Sequence, residues 1–299
     1  MRTEKNHTPL SFALFGNSYQ PKKSVALDKL LDCFRRHGCD YYIDKSYYDF
    51  LTESMGRHVE PKGVFEGNEF DVDYAISLGG DGTLLHVAAR VGSKGTPIIG
   101  VNMGRLGYLA DFQPSELDDA MDALIAGRCR VENHSVICVE TDGEKIDGYA
   151  YALNDVAVLK RDNASMIGVR ITVNGEVAGT LPGDGLIVAT PTGSTAYSLS
   201  NGGPIIGPNT GTFCLTPVAP HSLTARPIVV RDDCRIELTV DSRSHNYLVA
   251  LDGRSQKLPD TTSIIITRAD FCVKIVKRPG VSYFDTLREK MMWGVDQRN

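Results

Sequence analysis

Two hydrophobic patterns follow each other along the chain, and in the first of them short apolar runs alternate with helical segments. Residues 11–15 form an apolar run that ends at Gly16. Leu27, Leu30 and Phe34 then recur at helical spacing, and Gly38 is a stop signal for that helix. We therefore predict a strand followed by an amphipathic helix near the start of the chain.

The same alternation continues to residue 127. Buried strands are predicted at 74–78 and 97–101, with a helix over 83–91 between them. A further helix follows, with Ser115 as its N-terminal cap and Gly127 just past its end. Since strands that alternate with helices favour a parallel, doubly wound sheet, residues 1–130 are predicted to form a Rossmann-like α/β domain.

The second pattern has a period of two and begins near residue 131. Apolar and polar side chains alternate over 169–173 and 236–240. Three turn pairs separate such runs: Asp142-Gly143, Asn174-Gly175 and Asp252-Gly253. We predict an all-β sandwich over residues 131–278 and a helical C-terminal segment, 279–299, that packs back on the first domain.

Composition restricts the function more than the fold. The 299 residues are 42% hydrophobic and 23% charged, as in ordinary globular proteins, and the net charge of −5 weighs against nucleic acid as a partner. No apolar run is long enough for a membrane span, and the N-terminus has no apolar signal-peptide core. The seven cysteines show no C-x-x-C spacing, so we expect reduced thiols in a cytoplasmic protein.

The first chemistry-bearing segment is the turn Gly79-Gly80-Asp81-Gly82-Thr83, which follows a predicted strand and opens a helix. Its glycines and the helix N-terminus predict phosphate binding. The turn matches neither the P-loop motif nor the G-x-G-x-x-G motif. Asp81 is either a cap that accepts local N–H groups or a general base. His86, one turn into the helix, faces either a phosphate or the solvent.

Three other segments carry clustered polar groups. Five hydroxyl side chains lie between Thr190 and Tyr197, which suits a polar ligand close to the backbone, although an ordinary turn is the alternative. The pair Asn154-Asp155 can bind two adjacent hydroxyls of a ribose or form a bulge. Asp184 stands between two glycines before a strand, where turn formation alone would explain it.

Together these segments resemble the NAD kinase family over about residues 11–293. Residues 79–83 match its G-G-D-G-T motif, residues 102–109 (N-M-G-R-L-G-Y-L) match N-x-G-x-x-G-[FY]-L, and residues 184–197 match D-G-x-x-x-x-T-P-T-G-S-T-A-Y. Asn154-Asp155 stands where the family has Asn followed by an acid, usually Glu. Diacylglycerol and sphingosine-type lipid kinases share the G-G-D-G-T turn, and the phosphofructokinase loop resembles it. The longer signature and the Asn-acid pair therefore make the resemblance specific.

The resemblance implies a Rossmann-like domain and a β-sandwich with the substrate between them. It implies transfer of the γ-phosphoryl group of ATP, with Mg²⁺ or another divalent cation, to the 2′-hydroxyl of the adenosine ribose of NAD, giving NADP. Asp81 would accept the proton, Gly82 would lie beside the nucleotide, Asn154 and Asp155 would bind ribose hydroxyls, and Asp184 would contact the nicotinamide side. The dinucleotide pocket would be lined by Ala189, Thr195, Ala196, Tyr197, Ser198, Leu199 and Ser200. His86 is a further nucleotide-binding candidate because of its place one turn into the helix, and not because of the resemblance.

The resemblance also leaves some positions and functions open. Asp155 is one methylene shorter than the usual Glu, Pro182 stands where many relatives have a polar or basic residue, and Arg254 stands where many have Gln. A homodimer or homotetramer is expected, with no nucleic-acid or membrane partner and no side-chain metal site. The alternatives are a lipid kinase with the same turn and a non-catalytic dinucleotide-binding regulator. The polar segment 190–200 argues against the first, and the intact Asp81 argues against the second.

Overall fold

The computed structural model describes residues 9–16, 24–103, 107–161 and 165–294. Its α-helices are α1 (Ser24–His37), α2 (Lys45–Asp49), α3 (Asp81–Val91), α4 (Leu117–Ile125), α5 (Tyr197–Ser200) and α6 (Tyr283–Met291). Its strands are β1 (Ser11–Gly16), β2 (Asp40–Asp44), β3 (Gly63–Phe65), β4 (Tyr74–Gly79), β5 (Ile98–Asn102), β6 (Arg130–Thr141), β7 (Tyr151–Ala152), β8 (Asp155–Leu159), β9 (Ile167–Val173), β10 (Glu176–Gly183), β11 (Gly185–Ala189), β12 (Thr212–Val218), β13 (Ile228–Arg231), β14 (Ile236–Asp241), β15 (Asn246–Leu251), β16 (Arg254–Pro259) and β17 (Ile264–Lys277). Within the described residues, no helix is long and apolar enough to cross a membrane.

The chain divides into two compact units. The first comprises Met1–Glu132 and Val273–Asn299, and the second comprises Asn133–Cys272. The C-terminal helix α6 therefore belongs to the first unit, together with the end of β17.

The first unit contains a parallel sheet with the strand order β3-β2-β1-β4-β5, and Ile275 at the end of β17 pairs in parallel with Ile98 of β5. Helices α1 and α4 cover one face, where their apolar residues share a core with Ile99 and Val101 of β5. Helix α3 covers the other face, to which Gly100 of β5 points. Its Leu84 packs so closely there that a β-carbon at Gly100 would lie 2.6 Å from the leucine side chain. This arrangement confirms the predicted doubly wound α/β fold.

The start of the fourth helix differs from the prediction. Ser115 is exposed and lies inside a 3-10 turn, Pro114–Glu116, that leads into α4. Gln113 is the N-cap of this turn and forms a capping box with Glu116, so the prediction for Ser115 is wrong. Pro114 is favoured at the first helical position because it lacks the N–H group that would need a partner there, and the cap is therefore two residues upstream of the predicted one.

The second unit is the predicted all-β sandwich. One sheet has the order β10-β9-β14-β17, where β6 also pairs with β17 and β7 pairs with β6, and the other has the order β13-β12-β11-β8-β15-β16. Side chains from both sheets form one core, which includes Val169, Ile236, Val188 and Tyr247. Residues of β8 alternate between this core and the outer face, and Asp155 begins β8 on the outer face, opposite Ala189 of β11.

Candidate active site

The glycine-rich turn joins β4 to α3 and leaves its backbone accessible. Gly80 is the N-cap residue, and its carbonyl accepts the N–H groups of Thr83 and Leu84. The N–H groups that begin a helix have no partner within it, and here they are those of Asp81 and Gly82. A β-carbon at Gly80 or Gly82 would meet no atom within 4 Å, so a ligand can approach the backbone closely. The turn therefore has the accessible N–H groups that the predicted binding of an anion such as phosphate would require.

The Asp81 carboxylate binds the backbone of a loop in the same unit. Its Oδ1 accepts the N–H groups of Leu109 and Ala110, at 2.9 and 3.0 Å, and its Oδ2 accepts that of Tyr108, at 2.6 Å. Each carboxylate oxygen can accept about two hydrogen bonds. Oδ1 is thus saturated, whereas Oδ2 retains one acceptor position. Asp81 thus accepts N–H groups of a distant loop and not the local N–H groups of the predicted cap, and one of its oxygens can accept a further hydrogen bond.

His86 and the motif that starts at Asn102 are the other predicted features close to the glycine-rich turn. His86 is exposed on the second turn of α3. The N–H group of Met103 donates to the carbonyl of Gly79 at 2.9 Å, which attaches the motif that starts at Asn102 to the glycine-rich turn. The middle of that motif, Gly104, Arg105 and Leu106, lies outside the described residues.

In the second unit, Asn154 and Asp155 are buried at the start of β8 and have unused hydrogen-bonding capacity. The Oδ1 atom of Asn154 is buried and accepts no hydrogen bond from the described residues. The carboxyl of Asp155 likewise has no hydrogen-bond donor among them, and it is 7% exposed. Buried polar groups are nearly always paired in folded proteins. Two adjacent groups that lack partners therefore indicate a site for ligand hydroxyls.

Asp252 holds this pair in place from the turn between β15 and β16. Its carboxylate accepts the N–H groups of Leu153, Asn154 and Asp155, at 2.7, 2.8 and 3.2 Å. Burial and the nearby charge of Asp252 raise the pKa of Asp155 to about 7. Burial also raises the pKa of Asp252, but the three N–H groups and Arg254 act in the opposite direction. We infer that Asp252 keeps the negative charge and that Asp155 holds the proton more readily.

In the segment after β11, four of the five predicted hydroxyls have hydrogen-bond partners among the described residues. Thr190 donates to the Leu153 carbonyl at 2.6 Å, Ser194 to the Pro191 carbonyl at 2.6 Å and Thr195 to the Thr192 carbonyl at 3.1 Å. Thr192 is hydrogen-bonded to His134 at 2.8 Å, whereas Tyr197 is 42% exposed. Most of these hydroxyls are thus hydrogen-bonded within the second unit, two of them to the turn itself and two to other segments.

The other predicted positions of this segment differ in their accessibility. Ser198 is buried and hydrogen-bonded to Thr216 at 2.8 Å, so its side chain is turned away from solvent. Ala196 and Leu199 are half-buried, and Ser200 is exposed. The accessible surface here consists of Tyr197, Ser200 and parts of their neighbours.

Replacing Gly193 by Ala should destabilise the protein. A β-carbon at Gly193 would lie 1.9 Å from the carbonyl oxygen of Asn154, and neither backbone can move away without breaking the bond from Thr190 N–H to that oxygen. We expect the free energy of unfolding to fall by about 1–3 kcal/mol in urea denaturation followed by circular dichroism.

Gly207→Ala is the matched control, because a β-carbon at Gly207 would meet no atom within 4 Å. This variant should unfold at the same urea concentration as the wild type. An equal loss of stability in both variants would contradict the close approach of Gly193 to Asn154.

Asp184 and Ala189 lie at the two ends of the segment that contains β11. Asp184 is paired with Lys160 at 2.7 Å, and its carbonyl accepts the Lys160 N–H group. Ala189 is fully buried on the outer face of its sheet, directly opposite Asp155. Ala189 therefore lies beside the Asn154-Asp155 site at the end of β11. Asp184 directly precedes the start of β11, away from that site.

Sequence reasoning left Arg254 off the site and missed Asp252. Arg254 donates to the carbonyls of Tyr149 and Tyr151, at 2.7 and 2.6 Å, and lies over the ring of Tyr149. Its contacts are structural. Asp252 looked like an ordinary turn residue, and nothing in the local sequence indicates that its carboxylate reaches residues 97 to 99 positions earlier.

Comparisons with known proteins match two successive parts of the chain to one family. Residues 21–129 match the family model of the ATP-NAD kinase N-terminal domain, and residues 153–278 match that of the ATP-NAD kinase C-terminal domain. An NAD kinase of Bacteroides fragilis is 49% identical over 97% of this chain and 100% of its own length. An NAD kinase of Porphyromonas gingivalis is 41% identical over 96% of this chain and 99% of its own length.

Two solved structures are similar to the whole fold. The yeast NADH kinase complexed with NADH has a TM-score of 0.87 at 20% identity, covering 97% of this chain and 89% of the yeast chain. The NAD kinase of Archaeoglobus fulgidus in complex with ATP has a TM-score of 0.73 at 25% identity, covering 93% of this chain and 99% of the archaeal chain. At its level of identity the yeast structure supports the fold alone.

Proposed function

The chain belongs to the NAD kinase family and is a kinase that phosphorylates NAD, and we propose that Asp81 is the base of the reaction. In this role Asp81 takes the proton of the 2′-hydroxyl of the adenosine ribose as that oxygen bonds to the γ-phosphorus of ATP. The P–O bond to the β-phosphate breaks, and the products are NADP and ADP. The observation that carries the proposal is the single open acceptor position on Asp81 Oδ2, at the N-terminus of α3.

General-base assistance by one carboxylate contributes about 10²–10⁴-fold to a rate. The remainder of the acceleration comes from in-line positioning and from neutralising phosphate charge. The N–H groups at the start of α3 and the accessible backbone of Gly82 support the phosphate-binding part of this proposal.

We propose that Asn154 and Asp155 bind ribose hydroxyls. Their unpaired groups support this role, because Asn154 Oδ1 can accept a hydrogen bond from one hydroxyl. With a pKa of about 7, Asp155 can donate to the neighbouring hydroxyl when protonated and accept from it when ionised. The shorter side chain relative to Glu is thus compatible with a direct contact. Ala189 and residues 195–200 are proposed to line the same dinucleotide site, and Asp184 to contact its nicotinamide side.

We propose that the divalent cation enters with ATP. Mg²⁺ prefers phosphate, carboxylate and water oxygens in octahedral geometry, and it neutralises phosphate charge when bound. Among the described residues, the cluster with metal-like spacing is Cys33, His37 and Asp122, which joins α1 to α4. Burial raises the pKa of its thiol to about 11, so this set does not suit Mg²⁺.

A cytoplasmic location and a homodimer or homotetramer complete the proposal. All seven cysteines are free thiols, as is usual in a reducing compartment. Ile228 and Val229 are 45% and 48% exposed on the edge strand β13, which supports association with another copy. Light scattering coupled to size-exclusion chromatography measures the oligomeric state.

The proposed reaction is tested by supplying donors and acceptors separately to the purified protein. With Mg²⁺, ATP and NAD, we expect NADP to accumulate, measured with an NADP-specific dehydrogenase. EDTA in excess of Mg²⁺ should stop the reaction, because the phosphate charge is then no longer neutralised. Phosphorylation of a sphingoid base or a diacylglycerol but not of NAD would contradict the proposal, as would tight binding of NAD without turnover.

A further inference from the structure

The loop that binds Asp81 lies between two opposite charges of the first unit. The N–H groups of Tyr108, Leu109 and Ala110 point to the Asp81 carboxylate. The carbonyls of Tyr108 and Ala110 accept hydrogen bonds from the ammonium group of Lys290, at 3.4 and 3.3 Å. The same three residues therefore connect the two side chains.

One peptide group is bound at both of its ends. The carbonyl of Tyr108 and the N–H of Leu109 belong to the same peptide unit; the first faces Lys290 and the second faces Asp81 Oδ1. The N–H end of this dipole faces the carboxylate and the carbonyl end faces the ammonium. The charge of Lys290 therefore strengthens the hydrogen bond from Leu109 to Asp81, and the charge of Asp81 strengthens the hydrogen bond from Lys290 to Tyr108. Displacement of Lys290 would thus be transmitted directly to Asp81.

The ammonium of Lys290 is buried, donates to the two carbonyls and forms an ion pair with one carboxylate. Its side chain is 2% exposed, and Asp111 Oδ1 lies 3.3 Å from the ammonium. Burial lowers the pKa of Lys290, while the charges of Asp111 and Asp81 raise it and that of Lys277 lowers it further. A buried lysine of this kind is costly and is retained only when its charge is compensated.

Helix α6 is held firmly enough to position this lysine. Ser282 and Asp285 form a capping box at its N-terminus. Near its C-terminus, Glu289 pairs with Arg278 at 3.0 Å, and Arg278 also pairs with Asp111 at 3.4 Å and Glu116 at 3.2 Å. The last turn of α6 is thereby attached to the same aspartate that contacts Lys290.

We propose that Lys290 is a positioning residue for catalysis: it holds the loop of residues 107–110 so that Asp81 Oδ2 keeps its open acceptor position toward the substrate hydroxyl. The proposal rests on the function proposed for Asp81. It assigns a role to a side chain far from every sequence motif of the site, and it requires no contact between Lys290 and either substrate.

Lys290→Met tests this role, because methionine keeps most of the apolar stem and removes the ammonium. We expect kcat to fall by about 10- to 100-fold, since small displacements of a catalytic group have effects of this size. The KM values for NAD and ATP should stay within about twofold, as expected when an interaction made only in the transition state is weakened.

The pH dependence of kcat provides a second readout that a merely structural role would not change. Removing a positive charge near a carboxylate favours its protonated form, so the acid limb of the kcat profile should lie at higher pH in Lys290→Met than in the wild type. The other charged groups facing Lys290 are Asp111 and Lys277, and both remain in the variant. Lys62→Met is the matched control, because it makes the same substitution in the first unit at an exposed lysine whose ion pair is with Asp40.

A double variant keeps the test decisive if Lys290→Met does not fold. Asp111→Asn with Lys290→Met removes both partners of the buried pair, so neither charge is left uncompensated, and Arg278 keeps Glu116 and Glu289. It should fold and show the same loss of kcat. Wild-type kcat and an unchanged pH profile in a folded Lys290 variant would overturn the proposal. If that result came with an inactive Asp81→Asn protein, the base would stand and only the role of Lys290 would fall, whereas an active Asp81→Asn protein would remove the base itself.

Discussion

Asp81→Asn should lower kcat for NAD phosphorylation by about 10²–10⁴-fold, the range that a general base contributes. The amide cannot take a proton at neutral pH, so the hydroxyl must lose its proton to water instead. Binding of NAD, measured by calorimetry, should be retained, because the groups proposed to bind its ribose lie in the other unit, at Asn154 and Asp155.

The same substitution has a structural cost that must be separated from the catalytic one. The oxygen of the introduced amide can keep the two bonds from Leu109 and Ala110, but the NH₂ group of that amide would then face the Tyr108 N–H group across what is now a 2.6 Å hydrogen bond. One buried donor loses its acceptor, which costs about 1–3 kcal/mol of stability. Activity must therefore be measured well below the unfolding temperature of the variant.

Asp73→Asn is the control for that structural cost. Asp73 Oδ2 accepts the N–H and hydroxyl groups of Ser11, at 2.8 Å each, and has no role in the proposed reaction. This variant should lose stability and keep its kcat. If Asp81→Asn kept kcat within about tenfold of the wild type, which is below the contribution expected of a base, Asp81 would be a structural residue only.

The features predicted best from the sequence are those whose physical cause is local. Asn174-Gly175 and Asp252-Gly253 form two-residue turns between paired strands, with φ values of 52° and 82° in the first and 48° and 81° in the second. Both positions of such a turn require positive φ, which Asn, Asp and Gly tolerate best. The pattern alone therefore predicts where β9 meets β10 and where β15 meets β16.

The contacts that organise the site are long-range, and the local sequence does not indicate them. Asp81 is bound by residues 27 to 29 positions later, and Lys290 contacts carbonyls 180 and 182 positions earlier. Among the hydroxyls after Thr190, those of Ser194 and Thr195 bind the backbone of their own turn, which the local sequence can indicate, whereas those of Thr190 and Thr192 bind Leu153 and His134. The sequence motifs thus predict which residues form the site, and the structure shows what holds them.

The stability of the wild-type protein should fall as the pH rises from about 4 to about 7, through the buried carboxyl of Asp155. Its pKa is raised from 3.8 to about 7 by burial and by the charge of Asp252. Over this interval the folded protein keeps a proton that the unfolded chain has already released, so each pH unit costs about 1.4 kcal/mol. The whole interval corresponds to about 4 kcal/mol, present below pH 4 and lost above pH 7.

Asp155→Asn isolates this contribution, because the amide has nearly the shape of the protonated carboxyl and does not ionise. We expect the variant and the wild type to unfold at similar urea concentrations near pH 4. At pH 8 the variant should be more stable by up to about 4 kcal/mol. Asp233→Asn is the matched control of opposite sign: Arg231 lowers the pKa of Asp233, so removing that carboxylate should give no gain at pH 8.

The activity of Asp155→Asn decides whether the unfavourable charge has a function. If the ionised carboxylate accepts a hydrogen bond from a ribose hydroxyl, the more stable variant should show a raised KM for NAD at pH 8 and a much smaller change at pH 6. At pH 8 the ionised Asp155 would lower the stability of the free protein and strengthen its binding of NAD. Such a trade-off is common in enzymes, because buried groups without partners gain them only when the ligand binds. Equal unfolding curves of Asp155→Asn and the wild type at pH 8 would show that Asp155 is not buried beside the charge of Asp252, and an unchanged KM would remove it from the ribose site.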